Sequence, residues 1–293
     1  MSDVDIDLVT RSTDDLDAAL ADARRTGQRI GLVPTLGALH EGHLADIRKA
    51  RAENDVVVVS IFLNPLQFDD RKDLARYPGD VANDVRLAVQ AGAGTVFAPT
   101  VEVMYPAGPP EVVVDPGPSA RLLEGVSRPE HFQGVATVVT KLLAMIRPSV
   151  AYFGEKDYQQ LVIVRRLVQD LSIPVTIVAC PTVREPDGLA LSSRNAFLGS
   201  DERRDAASLY RALSAARDEI AGGERDPERI VATMARTVGE AAAVELEYAH
   251  VVREGTLDVV AEVDDEVRLL IAARVGGVRL IDNLLVESGP VRR

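Results

Sequence analysis

The sequence predicts an α/β fold, a mostly parallel sheet covered by helices, followed by a smaller α+β domain. Three observations predict it. Between residues 28 and 179, short β-branched runs alternate with stretches of helical periodicity, the pattern of strand–helix–strand units. Residues 56–63, Val-Val-Val-Val-Ser-Ile-Phe-Leu, are apolar except for Ser60, as in a strand buried on both faces. After Cys180 the order changes to two helical stretches and then three β-rich runs, the last two separated by Gly276-Gly277, a tight-hairpin signal.

In chain order, residues 28–33 read as a strand, followed by a turn and a helix over 45–54. The buried strand follows, then a helix over 81–91 and a strand over 95–98. Residues 106–118 are rich in Pro and Gly and read as a loop. A helix over 134–146 leads to a short strand at 150–153, and a helix over 159–171 to a strand at 175–179. Residues 181–194 are polar and turn-rich around Pro186-Asp187-Gly188. Helices are expected over 201–221 and 227–243, and strands over 244–252, 266–273 and 278–285. The expected domains are 1–183 and 184–293, the second a lid over the first. Ligands of parallel sheets bind at the carboxyl ends of the strands.

Composition narrows the function. The chain has 293 residues, 46% hydrophobic and 27% charged, which fits an ordinary globular protein and excludes disorder or a collagen-like repeat. No apolar run approaches the ~18–20 residues of a membrane span. Residues 1–10 are acidic and lack the basic start and apolar core of a signal peptide. Cys180 is the only cysteine, which excludes an intrachain disulfide and a cysteine zinc cluster, so a cytoplasmic setting is expected. A net charge of −12 argues against a nucleic-acid partner. Small anions remain open, since they need only a local positive pocket.

Four segments carry chemistry. Pro34-Thr35-Leu36-Gly37-Ala38-Leu39-His40-Glu41-Gly42-His43 lies between a predicted strand and helix. Backbone N–H groups at a helix start bind phosphate, and histidines three apart share a helical face. Two imidazoles beside a phosphate can stabilise charge developing in phosphoryl or nucleotidyl transfer. Phe153-Gly154-Glu155-Lys156-Asp157-Tyr158-Gln159-Gln160 repeats the strand-to-helix context. There Lys156 suits a phosphate as a point charge, Asp157 suits a helix cap, and a glutamine facing a cleft can bond hydroxyls and carboxylates. Leu191-Ser192-Ser193-Arg194-Asn195 supplies hydroxyls and a guanidinium suited to a triphosphate. Asn64 and Gln67 follow the buried strand, at the edge where a parallel sheet receives ligands. His250, in a predicted strand, reads as structural. A Walker A motif, a Gly-x-Gly-x-x-Gly fingerprint and a nucleophile elbow are all missing from the sequence.

Taken together and in this order, these segments resemble the pantoate–β-alanine ligase (pantothenate synthetase) family over nearly the whole chain. The resemblance implies a Rossmann-like nucleotidyltransferase domain with a mostly parallel sheet. It implies condensation of pantoate with β-alanine through pantoyl adenylate, releasing pyrophosphate and AMP, with Mg2+ accompanying ATP as co-substrate and a homodimeric assembly. By motif, Leu36, Gly37, Ala38, Leu39, His40, Glu41, Gly42 and His43 would contact ATP, with His43 the proton donor. Gly154, Glu155, Lys156, Asp157, Val183, Leu191, Ser192, Ser193 and Arg194 would complete the ATP site; His40 and Lys156 would share the catalytic work with His43. Gln67 and Gln160 would hold pantoate, with Asn64 beside them.

The chain departs from the family pattern in places. Leu36 and Leu191 stand where methionine is common, a swap that conserves volume. Asp69 stands where glycine is usual. Asn83-Asp84 replaces an acidic pair sometimes linked to magnesium, so no protein ligand is assigned to the metal, which phosphate oxygens and water can hold. The residues themselves leave two other classes open. One is another nucleotidylyltransferase of this architecture, whose product would keep the nucleotide. The other is a non-catalytic nucleotide-sensing module, which would need no second-substrate glutamines.

Overall fold

The computed structural model describes residues 8–69, 71–264 and 266–287; most of the acidic amino-terminal stretch lies outside them. The chain forms two compact units, Met1–Gly154 with Gln159–Cys180, and Glu155–Tyr158 with Pro181–Arg293. The second thus begins three residues before the expected boundary and also takes four residues that follow a strand of the first.

The first unit opens with β1 (Val9–Thr10) and α1 (Thr13–Arg25). Ser12 caps α1 by accepting from the Asp15 N–H, acids sit in its first turn and arginines in its last, each complementing the helix dipole. Then follow β2 (Ile30–Thr35), α2 (Glu41–Glu53), β3 (Val56–Ile61), α3 (Arg71–Arg76), α4 (Val81–Ala91), β4 (Thr95–Phe97), and the short α5 (Val101–Met104) and α6 (Glu124–Ser127). The rest is α7 (His131–Ile146), β5 (Val150–Gly154), α8 (Tyr158–Asp170) and β6 (Thr176–Cys180).

Among the described residues the sheet has six parallel strands in the order β1-β4-β3-β2-β5-β6. Alternate side chains enter opposite layers, as the period of two requires. Leu32 and Val58 pack with α1, α7 and α8 through Leu16, Leu142 and Leu161. Val33, Val57 and Val59 pack with α2 and α4 through Ile47, Val85 and Ala88. Burial of each such Val, Leu or Ile side chain is worth about 1.5–3 kcal/mol. The chain runs outward from β2 through β3 to β4, then returns to β5 on the other side of β2. The order therefore reverses at β2 and β5, where a doubly wound sheet opens its crevice.

The second unit contains α9 (Ser200–Ala206), α10 (Ser208–Ala221), α11 (Pro227–Gly239) and the antiparallel sheet β7 (Val244–Arg253), β8 (Val267–Val275) and β9 (Val278–Val286). Val275 pairs with Val278 across the Gly276-Gly277 turn, as the sequence predicts. The single helix expected over 201–221 is two helices. At Ala207, ψ of −12° tightens the backbone toward a 3-10 turn. Apolar residues of α10, α11 and the sheet form one core, with Leu213, Ile230, Leu269 and Ile271 at its centre.

Candidate active site

The histidine segment leaves the carboxyl end of β2 and enters α2. It makes an abrupt turn, with Gly37 at φ 93° and Ala38 at φ 52°. The latter is a left-handed conformation disfavoured for a residue with a Cβ. Asp84, buried on α4, holds it. One carboxylate oxygen accepts the Ala38 N–H and the other the Leu39 N–H, both at 2.8 Å. The Thr35 hydroxyl ties the strand end to β3 by donating to the Ser60 carbonyl at 2.8 Å. In the sequence Asp84 shows only as the remnant of an acidic pair. Its function as a loop anchor has no local signature, because its partners lie more than 40 residues away.

His40 is the N-cap of α2. Its Nδ1 accepts the Gly42 N–H at 3.2 Å, and the Nδ1 of His43 accepts the His40 N–H at 3.3 Å. A ring nitrogen that accepts an N–H carries no proton, so each neutral imidazole is protonated on Nε2. The rings lie 4.1 Å apart between centroids. Gly42 makes this possible: a Cβ there would come within 2.9 Å of the His40 ring. The i, i+3 spacing predicts a shared face; the reciprocal capping that fixes both tautomers emerges only in the structure.

Gln67 and Asn64 lie just beyond β3, in a 3-10 turn over Pro65–Gln67. Asn64 is almost fully buried and its amide is saturated. Nδ2 donates to Gln67 Oε1 and to the Gly134 carbonyl; Oδ1 accepts the Leu66 N–H and the Tyr105 hydroxyl. Burial pushes the Tyr105 phenol up to about 12, so it remains a donor. Gln67 thereby has its Oε1 occupied. Its backbone carbonyl receives the Arg128 guanidinium and the His131 Nδ1, both at 2.9 Å. Asp69 accepts the Glu130 N–H just before α7, which gives the residue standing in place of the family's glycine a structural task. At Gly134 a Cβ would collide with the Leu66 carbonyl, so α7 can approach this turn only with glycine there.

The adjacent glutamines of α8 have different tasks. Gln159 is buried; it accepts the Glu124 N–H and donates to the carbonyls of Ser119 and Leu122. Gln160 is partly exposed and its amide takes no protein partner among the described residues. Gly154 ends β5 at the sheet's carboxyl edge. The first unit thus gathers Leu36 through His43, Asn64, Gln67, Gly154 and Gln160 at the ends of β2, β3 and β5 and on α8.

The remaining candidates belong to the second unit. Glu155, Lys156 and Asp157 form a 3-10 turn leading into α8, and Lys156 Nζ lies 3.5 Å from the Asp157 carboxylate. Residues 183–191 form a narrow hairpin in which the Leu191 N–H donates to the Val183 carbonyl at 3.0 Å. Arg184 anchors it, forking onto the buried Asp282 at 2.6 and 2.9 Å while its guanidinium lies over the Tyr210 ring. Ser192 caps the following 3-10 turn by accepting the Arg194 N–H, and Ser193 and Arg194 lie partly buried in it. Among the described residues no cluster of three His, Cys, Asp or Glu side chains could cage a metal ion. Both Asp84 oxygens are engaged by the histidine loop. His250 lies in β7 against Tyr248, and burial lowers its imidazole pKa.

Comparison with known proteins shows the family and the fold. The family model described as pantoate-beta-alanine ligase matches residues 8–285. The chain is 48% identical to the pantothenate synthetase of Moorella thermoacetica over 268 residues, 92% of this chain and 94% of the relative. It is 51% identical to that of Rubrobacter xylanophilus over 267 residues, 89% and 92% of the two. It also matches the bifunctional pantoate ligase/cytidylate kinase of Synechococcus elongatus at 49% identity, 88% of this chain but 50% of the relative, so it spans about half of that protein's length. Among solved structures, pantothenate synthetase from Thermus thermophilus superposes with a TM-score of 0.89 at 44% identity, covering 96% of this chain and 99% of that one. The pantoate-beta-alanine ligase of Francisella tularensis, complexed with beta-gamma ATP and beta-alanine, gives 0.79 at 36% identity, covering 97% and 99%.

Proposed function

The chain belongs to the pantoate–β-alanine ligase family, and on that premise we propose that it condenses (R)-pantoate with β-alanine at the expense of ATP through a pantoyl adenylate. A pantoate carboxylate oxygen attacks the α-phosphorus and the bond to pyrophosphate breaks. The β-alanine amine then attacks the acyl carbon, AMP leaves with the bonding electrons, and the amine proton is released. The observation that carries this reading is the histidine pair. Both rings are held at the start of α2 with Nδ1 occupied by backbone N–H groups, so each presents Nε2–H as its donor. Donors held in place need no reorganisation as charge develops on phosphate.

The ATP-binding groups in this proposal are residues 36–43 and Gly154 of the first unit, with Glu155, Lys156, Asp157, Val183, Leu191, Ser192, Ser193 and Arg194 of the second. A carboxylate attacking an anionic phosphate meets charge repulsion, which His40, His43, Lys156 and Arg194 offset. His43 is the proton donor. Gln67, with Oε1 already taken by Asn64, and Gln160, without a protein partner among the described residues, are the amides suited to pantoate; Asn64 acts by holding Gln67. Magnesium would accompany ATP, with phosphate oxygens and water able to hold it, and no protein ligand is assigned to it. A homodimer in the cytoplasm, without nucleic-acid or membrane partners, belongs to the same proposal. No described helix is long and apolar enough to cross a membrane.

The test is a partial reaction. With pantoate but no β-alanine, the protein should exchange labelled pyrophosphate into ATP, and adding β-alanine should yield AMP and pantothenate. Folded protein that gives no exchange overturns the adenylate mechanism. A product that retains the nucleotide would point to a nucleotidylyltransferase.

A further inference from the structure

Lys156 sits above a dense polar network inside the second unit. Asn283, on β9 and nearly fully buried, donates from Nδ2 to two consecutive carbonyls, those of Glu155 at 2.8 Å and Lys156 at 3.0 Å. Its Oδ1 accepts from Arg268 Nη1 at 3.0 Å. Arg268 is 3% exposed and opposes Leu285 in the β8–β9 ladder, which makes Asn283 its diagonal neighbour on the same face. The guanidinium is held from three sides. Nε and Nη2 fork onto Glu254 at 2.9 and 3.0 Å, Nη1 also reaches Glu155 at 3.3 Å, and the plane covers the Tyr158 ring at 4.6 Å. Tyr158 closes the circuit by donating to Glu254 and accepting the Gly255 N–H.

A buried amide with this geometry has no freedom to rotate. If it flipped, its oxygen would face two carbonyl oxygens and its NH2 group would face a guanidinium, and both contacts would be repulsive. Arg268 therefore fixes the direction in which Asn283 points, and Asn283 fixes the peptide planes on either side of the Lys156 Cα. A lysine reaches its target along a flexible four-carbon stem, so where that stem starts sets the space the ammonium can search.

We propose that Asn283 is a positioning residue for Lys156, and that Arg268, held by Glu254, sets the orientation of Asn283. The network prepares the lysine for a polyphosphate without touching one. The proposal rests on the reading of Lys156 as a phosphate-binding group, and the experiment separates the two. N283S removes the reach of the donor, while N283D keeps an acceptor for Arg268 but turns oxygen toward the two carbonyls. R268K is the third variant, keeping the charge and losing the fork. Each is measured in pantoate-dependent pyrophosphate exchange, alone and combined with K156A, with circular dichroism and a urea midpoint recorded alongside.

In the otherwise unchanged protein, N283S and N283D should lower kcat/KM for ATP roughly tenfold and leave KM for pantoate within about twofold, as for a group acting through one substrate's contact. In the K156A background the same changes should alter the rate less than about twofold, because residues acting in series are non-additive. R268K should follow the same pattern with a smaller effect. Full additivity with K156A, or equal losses in ATP and pantoate parameters, overturns the proposal. A K156A protein as active as the original overturns the underlying reading of Lys156 instead. Should one asparagine variant fail to fold, the other and R268K decide the matter by the same cycle.

Discussion

The histidine loop of the first unit and the lysine turn of the second are held by the same device with opposite polarity. In the first, a buried carboxylate, Asp84, accepts two consecutive backbone N–H groups. In the second, a buried amide, Asn283, donates to two consecutive backbone carbonyls. The difference follows from which backbone groups each turn leaves over. A segment about to enter a helix in left-handed geometry has N–H groups to satisfy, whereas the lysine turn offers carbonyls. Both cases teach that the residue fixing a candidate binding segment is buried, far away in sequence and chemically complementary to the backbone it holds. The supports differ in one further respect. Asp84 acts directly from a helix, while Asn283 is locked by an arginine that is itself locked by two carboxylates and an aromatic ring.

This contrast can be broken or sharpened by experiment. The largest effect is expected at the histidine pair itself. H43A should reduce turnover roughly 100-fold or more, the loss typical of a transition-state donor, and should also disturb the His40 N–H that His43 accepts. Steady-state kinetics giving near-original turnover would remove His43 from the mechanism. A moderate effect is expected at its anchor. D84N keeps the volume but leaves one of the two N–H groups facing an NH2, so urea denaturation should show a loss of about 1–3 kcal/mol, the cost of an unsatisfied buried group. KM for ATP should rise as Ala38 relaxes. Unchanged stability and ATP affinity would mean that the loop is held without Asp84.

The smallest effect concerns a phenol that each platform uses. Tyr105 donates to Asn64 in the first unit and Tyr158 to Glu254 in the second, and burial pushes both up to about 12. The sign is fixed by linkage. An unfolded tyrosine loses its proton near ~10, so between that value and about 12 the unfolded chain binds fewer protons and stability falls as pH rises. The contribution of these two tyrosines should be level below pH ~10, then decline, with the decline reduced in Y105F and in Y158F. Ultraviolet titration of the native protein should show both phenols ionising late. Ionisation near the free-tyrosine value would show them to be hydrated.

Much of this is legible in the sequence. The alternation of strands and helices, the buried run at β3, the Gly276-Gly277 hairpin and the histidine, glutamine, lysine and serine–arginine segments all carry local signals. So does α1, which the reading of strands and helices from residue 28 onward leaves out: Ser12, the two acids after it and the Leu16, Leu20, Ala23 spacing mark a capped amphipathic helix. Other features have no such mark. Gln159 and Gln160 are identical in type and adjacent, yet one is buried and clamps Glu124, Ser119 and Leu122 while the other is partly exposed. Asn64 reads as a ligand contact but is saturated by Gln67, Gly134, Leu66 and Tyr105.

By itself the sequence determined the kinds of element, the order in which they occur and the residue types able to meet phosphate and an anionic hydroxy acid, because those depend on periodicity, caps and chemistry within a few positions. Only the tertiary structure decided the tautomers of His40 and His43, the division of labour between the glutamines, and the parts played by Asp84, Arg268 and Asn283. Each of those depends on which backbone groups a fold leaves unpaired in its interior, and burial makes their satisfaction compulsory through partners that no local spacing can reveal.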